Sequence, residues 1–216
     1  MSRGIILLSG GLDSLVSLGL SKEKYNIELA LTFDYGQKPA SIEIESSKQI
    51  CKHYGIIHKV IQLNWLKEIT HTSMVSDNEL PDGIQNNSDS VWVPNRNGLF
   101  LNIAASVADG ENYDYIVIGA NKEEGQTFPD NTEVFINRVN AEFEYSTKKH
   151  PNVIAPLINF NKNDIVKQAL EHSIPLEFVH SCYRDTKQNC GTCESCTRLK
   201  NALIANSDTK YLEVLF

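Results

Sequence analysis

The feature that most constrains the chain is a short apolar run ending in a paired-glycine turn. Gly4-Ile5-Ile6-Leu7-Leu8 is followed by Ser9-Gly10-Gly11-Leu12-Asp13-Ser14. The run has the length of a strand and no polar alternation, so both of its faces are buried, as in a parallel sheet. A helical pattern from Asp13 to about Lys22 completes a strand–turn–helix unit. In an open parallel sheet, ligands bind at such turns. Two adjacent glycines let backbone N–H groups converge on an anion. Ser9 and Ser14 add hydroxyl donors, and the helix presents its positive end to the same point. The physics describes a phosphate cradle. It has neither the Gly-Lys-Ser/Thr of a Walker loop nor the G-x-G-x-x-G of a dinucleotide fold. Asp13 is an acid inside an anion site, which a magnesium ion bridging carboxylate and phosphates would reconcile.

The same alternation runs on. Ile27–Phe33, Ile56–Leu63, Tyr115–Gly119 and Val153–Ile154 read as strands. Helical patterns begin near Pro39, after Asn97 as a cap, at Thr132 and at Asn161, where Asp164 three residues on forms a capping box. The order predicts an α/β fold, a doubly wound parallel sheet. Thr70–Asn95 breaks the pattern. It is polar and turn-rich, and a segment of that length inside a compact domain is read as a lid. The last five residues, Leu212 to Phe216, resemble the front of a protease site used in purification tags and are assigned no function.

Cys182, Cys190, Cys193 and Cys196 cluster after the sheet pattern ends. Two CxxC spacings and a short upstream arm can deliver four thiolates to one tetrahedral ion, with Gly191 in the turn. Structural zinc is the first reading; an iron–sulfur cluster and a redox dithiol are the others. Cys51 lies alone in an amphipathic helix and reads as an inert buried thiol. The chain has 216 residues and a formal net charge of −7, which argues against a general polyanion surface. No apolar run approaches the ~20 residues of a membrane span, and the four bulky apolar residues near the start are too few for a signal-peptide core. A cytoplasmic protein is expected.

Ser9–Ser14 resembles the SGGxDS loop of the PP-loop ATP pyrophosphatases, which cleave ATP to AMP and pyrophosphate while adenylating a carbonyl oxygen. Further pieces extend the likeness: Thr32-Phe33-Asp34-Tyr35-Gly36-Gln37, Val93-Pro94-Asn95-Arg96-Asn97, Pro129-Asp130, Pro156-Leu157 with Lys162, and Ser181-Cys182-Tyr183 with Cys190 to Arg198. In this order they resemble the 7-cyano-7-deazaguanine synthases, the nitrile-forming enzymes of queuosine biosynthesis.

That resemblance implies a Rossmann-like PP-loop sheet over residues 1–180, with its lid at about 70–95, and a small four-cysteine zinc element with a helix over 181–216. It implies ligation of 7-carboxy-7-deazaguanine with ammonia at the cost of two ATP, used with Mg2+. It places nucleotide binding at Leu8, Ser9, Gly10, Gly11, Leu12, Asp13, Ser14, Leu15, Val16, Ser17, Leu18 and Phe33. Asp13, Ser14, Arg96, Asp130 and Lys162 are the candidate catalytic residues. Arg96 and Lys162 would meet phosphate or the substrate carboxylate, while Asp130 would read a guanine-like edge or bind magnesium. Cys182, Cys190, Cys193 and Cys196 would hold one structural zinc. No glutaminase domain fits the length, so ammonia would come from solution or a partner. The substrates are small molecules, with no nucleic acid or membrane, and the resemblance implies a homodimer.

The likeness is not complete. Lys38-Pro39 stands where the family carries a basic-His pair, Val93–Asn97 carries Asn95 in place of a glycine, and Gln126–Thr132 departs from S-G-Y-P-D-C-R. These differences bear on the acceptor more than on ATP. The competing readings are a related PP-loop enzyme acting on another carboxylate, a protein or a tRNA base, and a zinc-stabilised binding module with a degenerate ATP site. The intact loop argues against the last.

Overall fold

The computed structural model describes residues 2–76, 80, 83 and 90–216. The elements run β1 (Arg3–Leu7), α1 (Leu12–Lys22), β2 (Asn26–Asp34), α2 (Ala40–Tyr54), β3 (Ile57–Gln62), α3 (Leu66–Ile69), α4 (Arg96–Glu111), β4 (Tyr115–Val117), α5 (Lys122–Gly125), α6 (Glu133–Ser146), β5 (Asn152–Ile154), α7 (Lys162–Glu171), α8 (Glu194–Ala205) and α9 (Lys210–Leu215). The strands form one parallel sheet in the order β3-β2-β1-β4-β5. The expected doubly wound sheet is the one observed.

The apolar run that opens the chain is the centre of this sheet. Ile6 and Leu8 face one core and Ile5 and Leu7 the other, which is why the run carries no polar alternation. The first core packs β1 against α1, α2, α7 and α8 through Leu15, Ile50, Ile165 and Leu199. The second packs it against α4 and α6 through Leu101, Ala104, Ile136 and Phe143. The small residues Ala104, Ala105 and Ala108 let α4 lie close to the strands. Strand order reverses between β1 and β4, so the crevice at their carboxyl ends is the topological switch point.

Several local expectations shift. Asn97 does not cap α4. Asn95 holds the N-cap position at φ 53°, without a side-chain cap, and Asn97 lies buried in the first turn, donating to Asp130 O at 3.4 Å. The asparagine in the left-handed conformation starts the helix two residues sooner than expected. The Asn161–Asp164 capping box is present in full, with both bonds formed. The fourth strand ends at Val117, and α3 and α5 are short helices that the apolar period does not mark. Of the lid at 70–95, residues 77–79, 81, 82 and 84–89 lie outside the described residues. The described parts hold to the body: Met74 and Val93 are buried in the second core, and Gly83 N donates to Thr192 O at 2.9 Å.

Leu212–Phe216 also departs from its expectation of a segment without a role. Leu215 is buried in the first core, Asn189 donates to its carbonyl at 3.2 Å, and Phe216 packs on the core and the cysteine cluster. Apolar side chains on a short helix have found a groove beside α8, which a likeness to a tag sequence does not reveal.

Candidate active site

A cavity of about 290 Å3 opens at the carboxyl ends of β1 and β4. Its floor is the loop after β1. Gly10 takes φ +77°, and a side chain there would meet Ser46 Oγ at 2.7 Å and Glu43 O at 2.9 Å, so only glycine lets α2 press against the loop. Ser9 and Ser14 close the turn: Ser9 N donates to Ser14 Oγ at 3.2 Å, and Ser14 Oγ donates to Gly11 O at 3.1 Å. Ser181, from the segment beyond residue 180, accepts from Leu12 N at 3.3 Å. The cysteine-bearing element is therefore part of the site. Tyr183, Glu194 and Arg198 from the same region also line the cavity.

Asp13, in the first turn of α1, meets Lys162 at the N-terminus of α7. Lys162 Nζ lies 2.5 Å from Asp13 Oδ2 and 3.0 Å from Glu124 Oε1. Burial works against the lysine charge, but Asp13 and Glu124 outweigh it and hold the ammonium above its ordinary range. Burial lifts Asp13 to about 6, with Lys162 opposing, so the pair is ionised at neutral pH. Asp13 Oδ1 is buried with no partner among the described residues. A relay continues outward from this pair. Glu123 Oε2 accepts from Lys162 N at 3.1 Å, Glu123 Oε1 meets Arg198 at 2.5 Å, and Arg198 meets Glu194 at 2.7 Å.

The far end of the cavity has another character. Phe33 stacks on Phe100 with centroids 4.0 Å apart, and Trp92 from the lid stacks on Phe128 at 5.8 Å. Between these walls stands Arg96. The one hydrogen bond of its guanidinium among the described residues goes to Tyr35 Oη at 3.4 Å, and none of their carboxylates comes within ion-pair distance. Asp130 lines the same end, with Asn131 Nδ2 donating to its Oδ1 at 3.0 Å and burial raising it above the usual carboxylate range.

The structure thus gathers Asp13, Ser14, Arg96, Asp130 and Lys162 around one cavity, with Leu8, Ser9, Gly11, Leu12 and Phe33 on its wall. Gly10, Leu15, Val16, Ser17 and Leu18 are not on that wall. Gly10 turns toward α2, and the other four are buried in α1, with Leu15, Val16 and Leu18 packed in the first core. A loop-and-helix stretch of this kind can offer a ligand only its first turn. Glu43, Glu123, Glu124, Glu194, Trp92 and Phe128 were not anticipated. The Glu123-Glu124 pair could have been found from its place just after a strand's carboxyl end. Trp92 and Glu43 gave no local signal.

Among the described residues, three basic side chains and six carboxylates line the cavity: Arg96, Lys162 and Arg198 against Asp13, Glu43, Glu123, Glu124, Asp130 and Glu194. Acids in excess would repel a bare polyphosphate. The unpartnered Asp13 Oδ1 therefore fits a divalent cation carried in with the nucleotide.

The four cysteines lie together, with all Sγ atoms within 4.8 Å of one another. Cys190 and Cys196 Sγ are 3.9 Å apart, close to the about 3.8 Å that 2.3 Å metal–sulfur bonds give across a tetrahedron. Backbone N–H groups of Thr192 and Cys193 donate to Cys190 Sγ at 3.5 and 3.3 Å, those of Arg184 and Cys190 donate to Cys182 Sγ, and Gly191 makes the turn at φ +75°. This donor set fits one thiolate-bound ion. Cys51 is buried in α2, and burial pushes its thiol up to about 12, as befits an inert residue.

Comparison with known proteins decides the family. The family model described as "Queuosine biosynthesis protein QueC" matches residues 3–207. The chain belongs to the QueC family. A 7-cyano-7-deazaguanine synthase of Methanosarcina mazei is 48% identical over 93% of each chain, and one of Carboxydothermus hydrogenoformans is 46% identical over 94% of this chain and 98% of the relative. Solved structures place this QueC member among PP-loop folds. A 4-thiouridine synthetase, solved with RNA and bound ATP, superposes with TM-score 0.54 at 20% identity, over 99% of this chain and 53% of the other. An NH3-dependent NAD synthetase of Campylobacter jejuni superposes with TM-score 0.50 at 16% identity, over 100% and 79%. Among the described residues, no helix is long and apolar enough to cross a membrane.

Proposed function

We propose that this QueC member makes 7-cyano-7-deazaguanine from 7-carboxy-7-deazaguanine and ammonia, using two ATP. A carboxylate is a poor electrophile because oxide is a poor leaving group. Transfer of AMP to the carboxylate supplies a weakly basic leaving group, ammonia displaces AMP to give an amide, and a second adenylation on the amide oxygen lets AMP depart to leave the nitrile. The protein's task is to align the partners and neutralise charge in a dry site.

The loop N–H groups of Ser9 to Ser14 cradle the phosphates that leave as pyrophosphate. Mg2+, bound with ATP, would neutralise them, with Asp13 as its protein ligand. Lys162 turns from Asp13 to the phosphates once the nucleotide arrives. Arg96 holds the carboxylate, the aromatic walls hold the flat ring, and Asp130 reads its amino edge. The four cysteines hold structural zinc. Ammonia enters free, and the protein works as a cytoplasmic homodimer.

One observation carries this reading: Arg96 is a cation on the wall of an acid-rich cavity, with no carboxylate among the described residues paired to it. Such a group is costly unless an anionic ligand completes it. The test is to mix pure, metal-loaded protein with ATP, Mg2+, ammonium and 7-carboxy-7-deazaguanine and to weigh the product. The nitrile mass with two AMP per product is expected. No AMP and no nitrile overturns the reading.

A further inference from the structure

The proposed reaction sheds protons that adenylate chemistry cannot absorb. Making the amide releases one N–H proton, and making the nitrile releases two more. Six carboxylates of the described residues face the cavity, and four are already committed. Asp13 and Glu124 pair with Lys162, and Glu123 and Glu194 pair with Arg198. Asp130 and Glu43 remain outside these ion pairs.

Glu43 is held for a purpose its own environment does not explain. It lies in the first turn of α2, pressed against the phosphate loop near Gly10. Gln37 Nε2 donates to its Oε2 at 2.8 Å. Gln37 is itself fixed at the carboxyl end of β2: its amide also donates to Phe33 O at 3.0 Å, and its carbonyl accepts from Tyr35 N at 2.9 Å. One carboxylate oxygen is thereby clamped, while Oε1 has no hydrogen-bond partner among the described residues. The charged groups that act on Glu43 are Arg96 from α4 and Asp34 from β2. Asp130, by contrast, lies two residues after Phe128, whose ring stacks on Trp92 where the proposed reading puts the flat ring.

Resting on the adenylation reading above, we propose that Glu43 accepts the N–H protons in both ammonia addition and nitrile formation. In the first step the ammonia lone pair forms the C–N bond and one N–H proton passes to Glu43 Oε1. The C–O bond to AMP then breaks, and AMP leaves with the electron pair. In the second, the protonated adenylated amide gives up its two N–H protons to Glu43 in turn, each passed on to water, as C≡N forms and AMP leaves. Burial lifts Glu43 to about 7, so the group exchanges protons readily near neutral pH.

The test separates adenylation from proton removal. Adenylate formation needs no base, and carboxylate-dependent exchange of labelled pyrophosphate into ATP reports it alone. In metal-loaded Glu43→Gln, exchange should fall no more than about threefold, while nitrile formation should drop about 10²–10⁴-fold, the usual worth of a positioned base. At fixed free ammonia, nitrile formation by the unmodified protein should rise with pH through about 7, because the carboxylate must be ionised to accept a proton. Glu43→Asp should keep that rise, and Glu43→Gln should lose it. Nitrile formation kept within threefold in Glu43→Gln overturns the proposal, as does an equal loss of exchange and product. So does finding the exchange-intact, product-lost pattern in Asp130→Asn instead. No exchange in the unmodified protein overturns the adenylation reading itself, and this proposal with it.

Discussion

The two ends of the cavity are built in opposite ways. The phosphate end is a single unbroken stretch, Ser9 to Ser14, shaped by backbone geometry and bonded to itself through Ser9 and Ser14. Its strong charge pair is Asp13 with Lys162. The acceptor end draws Phe33 and Tyr35 from β2 and the turn after it, Arg96 from α4, Asp130 from the segment after α5 and Trp92 from the stretch before α4, and Arg96 there has no carboxylate partner among the described residues. The first end is built on one loop and one charge pair, with Asp13 Oδ1 its one unpartnered carboxylate oxygen among the described residues. The second sets a cation among aromatic rings, which under the proposed reading is where the substrate carboxylate goes.

That contrast can be broken. The largest effect is expected at the phosphate end. Asp13→Ala should cut AMP release about 10³-fold, the scale of losing a main charge-stabilising group, with an unchanged circular dichroism spectrum. A near-native rate would mean that the loop does not hold the nucleotide. At the cysteine cluster, Cys193→Ser should lose stoichiometric metal by elemental analysis and lower the melting temperature by about 10 °C, as a loss of a few kcal/mol does in a chain of this size. A full complement of metal would refute the four-cysteine site.

At the acceptor end the effect should be selective. Arg96→Met should raise KM for the carboxylate about 100-fold, the scale of a lost charge-assisted contact, and leave KM for ATP within about threefold. Equal weakening of both substrates would erase the proposed division of labour. The smallest effect is reserved for the spare thiol: Cys51→Ala should cost about 1 kcal/mol and leave one metal per chain, as measured by melting and by elemental analysis.

The same contrast explains what could be read in advance. The sheet, its parallel order and the phosphate loop depend on neighbours in sequence, and each left a local pattern: an unbroken apolar run, a glycine pair, a capping box at Asn161. The cysteines were legible because ligand spacing is local as well. The acceptor end was only half legible. Arg96 and Asp130 were singled out there, as was Lys162 at the phosphate end, but Glu43 and the Glu123–Arg198 pair were not, since nothing near Glu43 in the chain marks it and the partner of Glu123 lies 75 residues away. Residues 15–18 lie off the cavity wall for a related reason. Residues 15–18 continue the motif in sequence, yet a helix points its interior face at the core.

The Asp13–Lys162 pair, set 149 residues apart, also governs the order in which the enzyme comes into being. Asp13 precedes Lys162 in the chain, and domains fold from the N-terminal side as they are made. The cation that faces Asp13 arrives only with α7, and the arginine that steadies Glu123 only with α8. A growing chain therefore carries a loop with no lysine to meet a nucleotide. The Asp13–Lys162 pair therefore closes only late in synthesis, once α7 has been made.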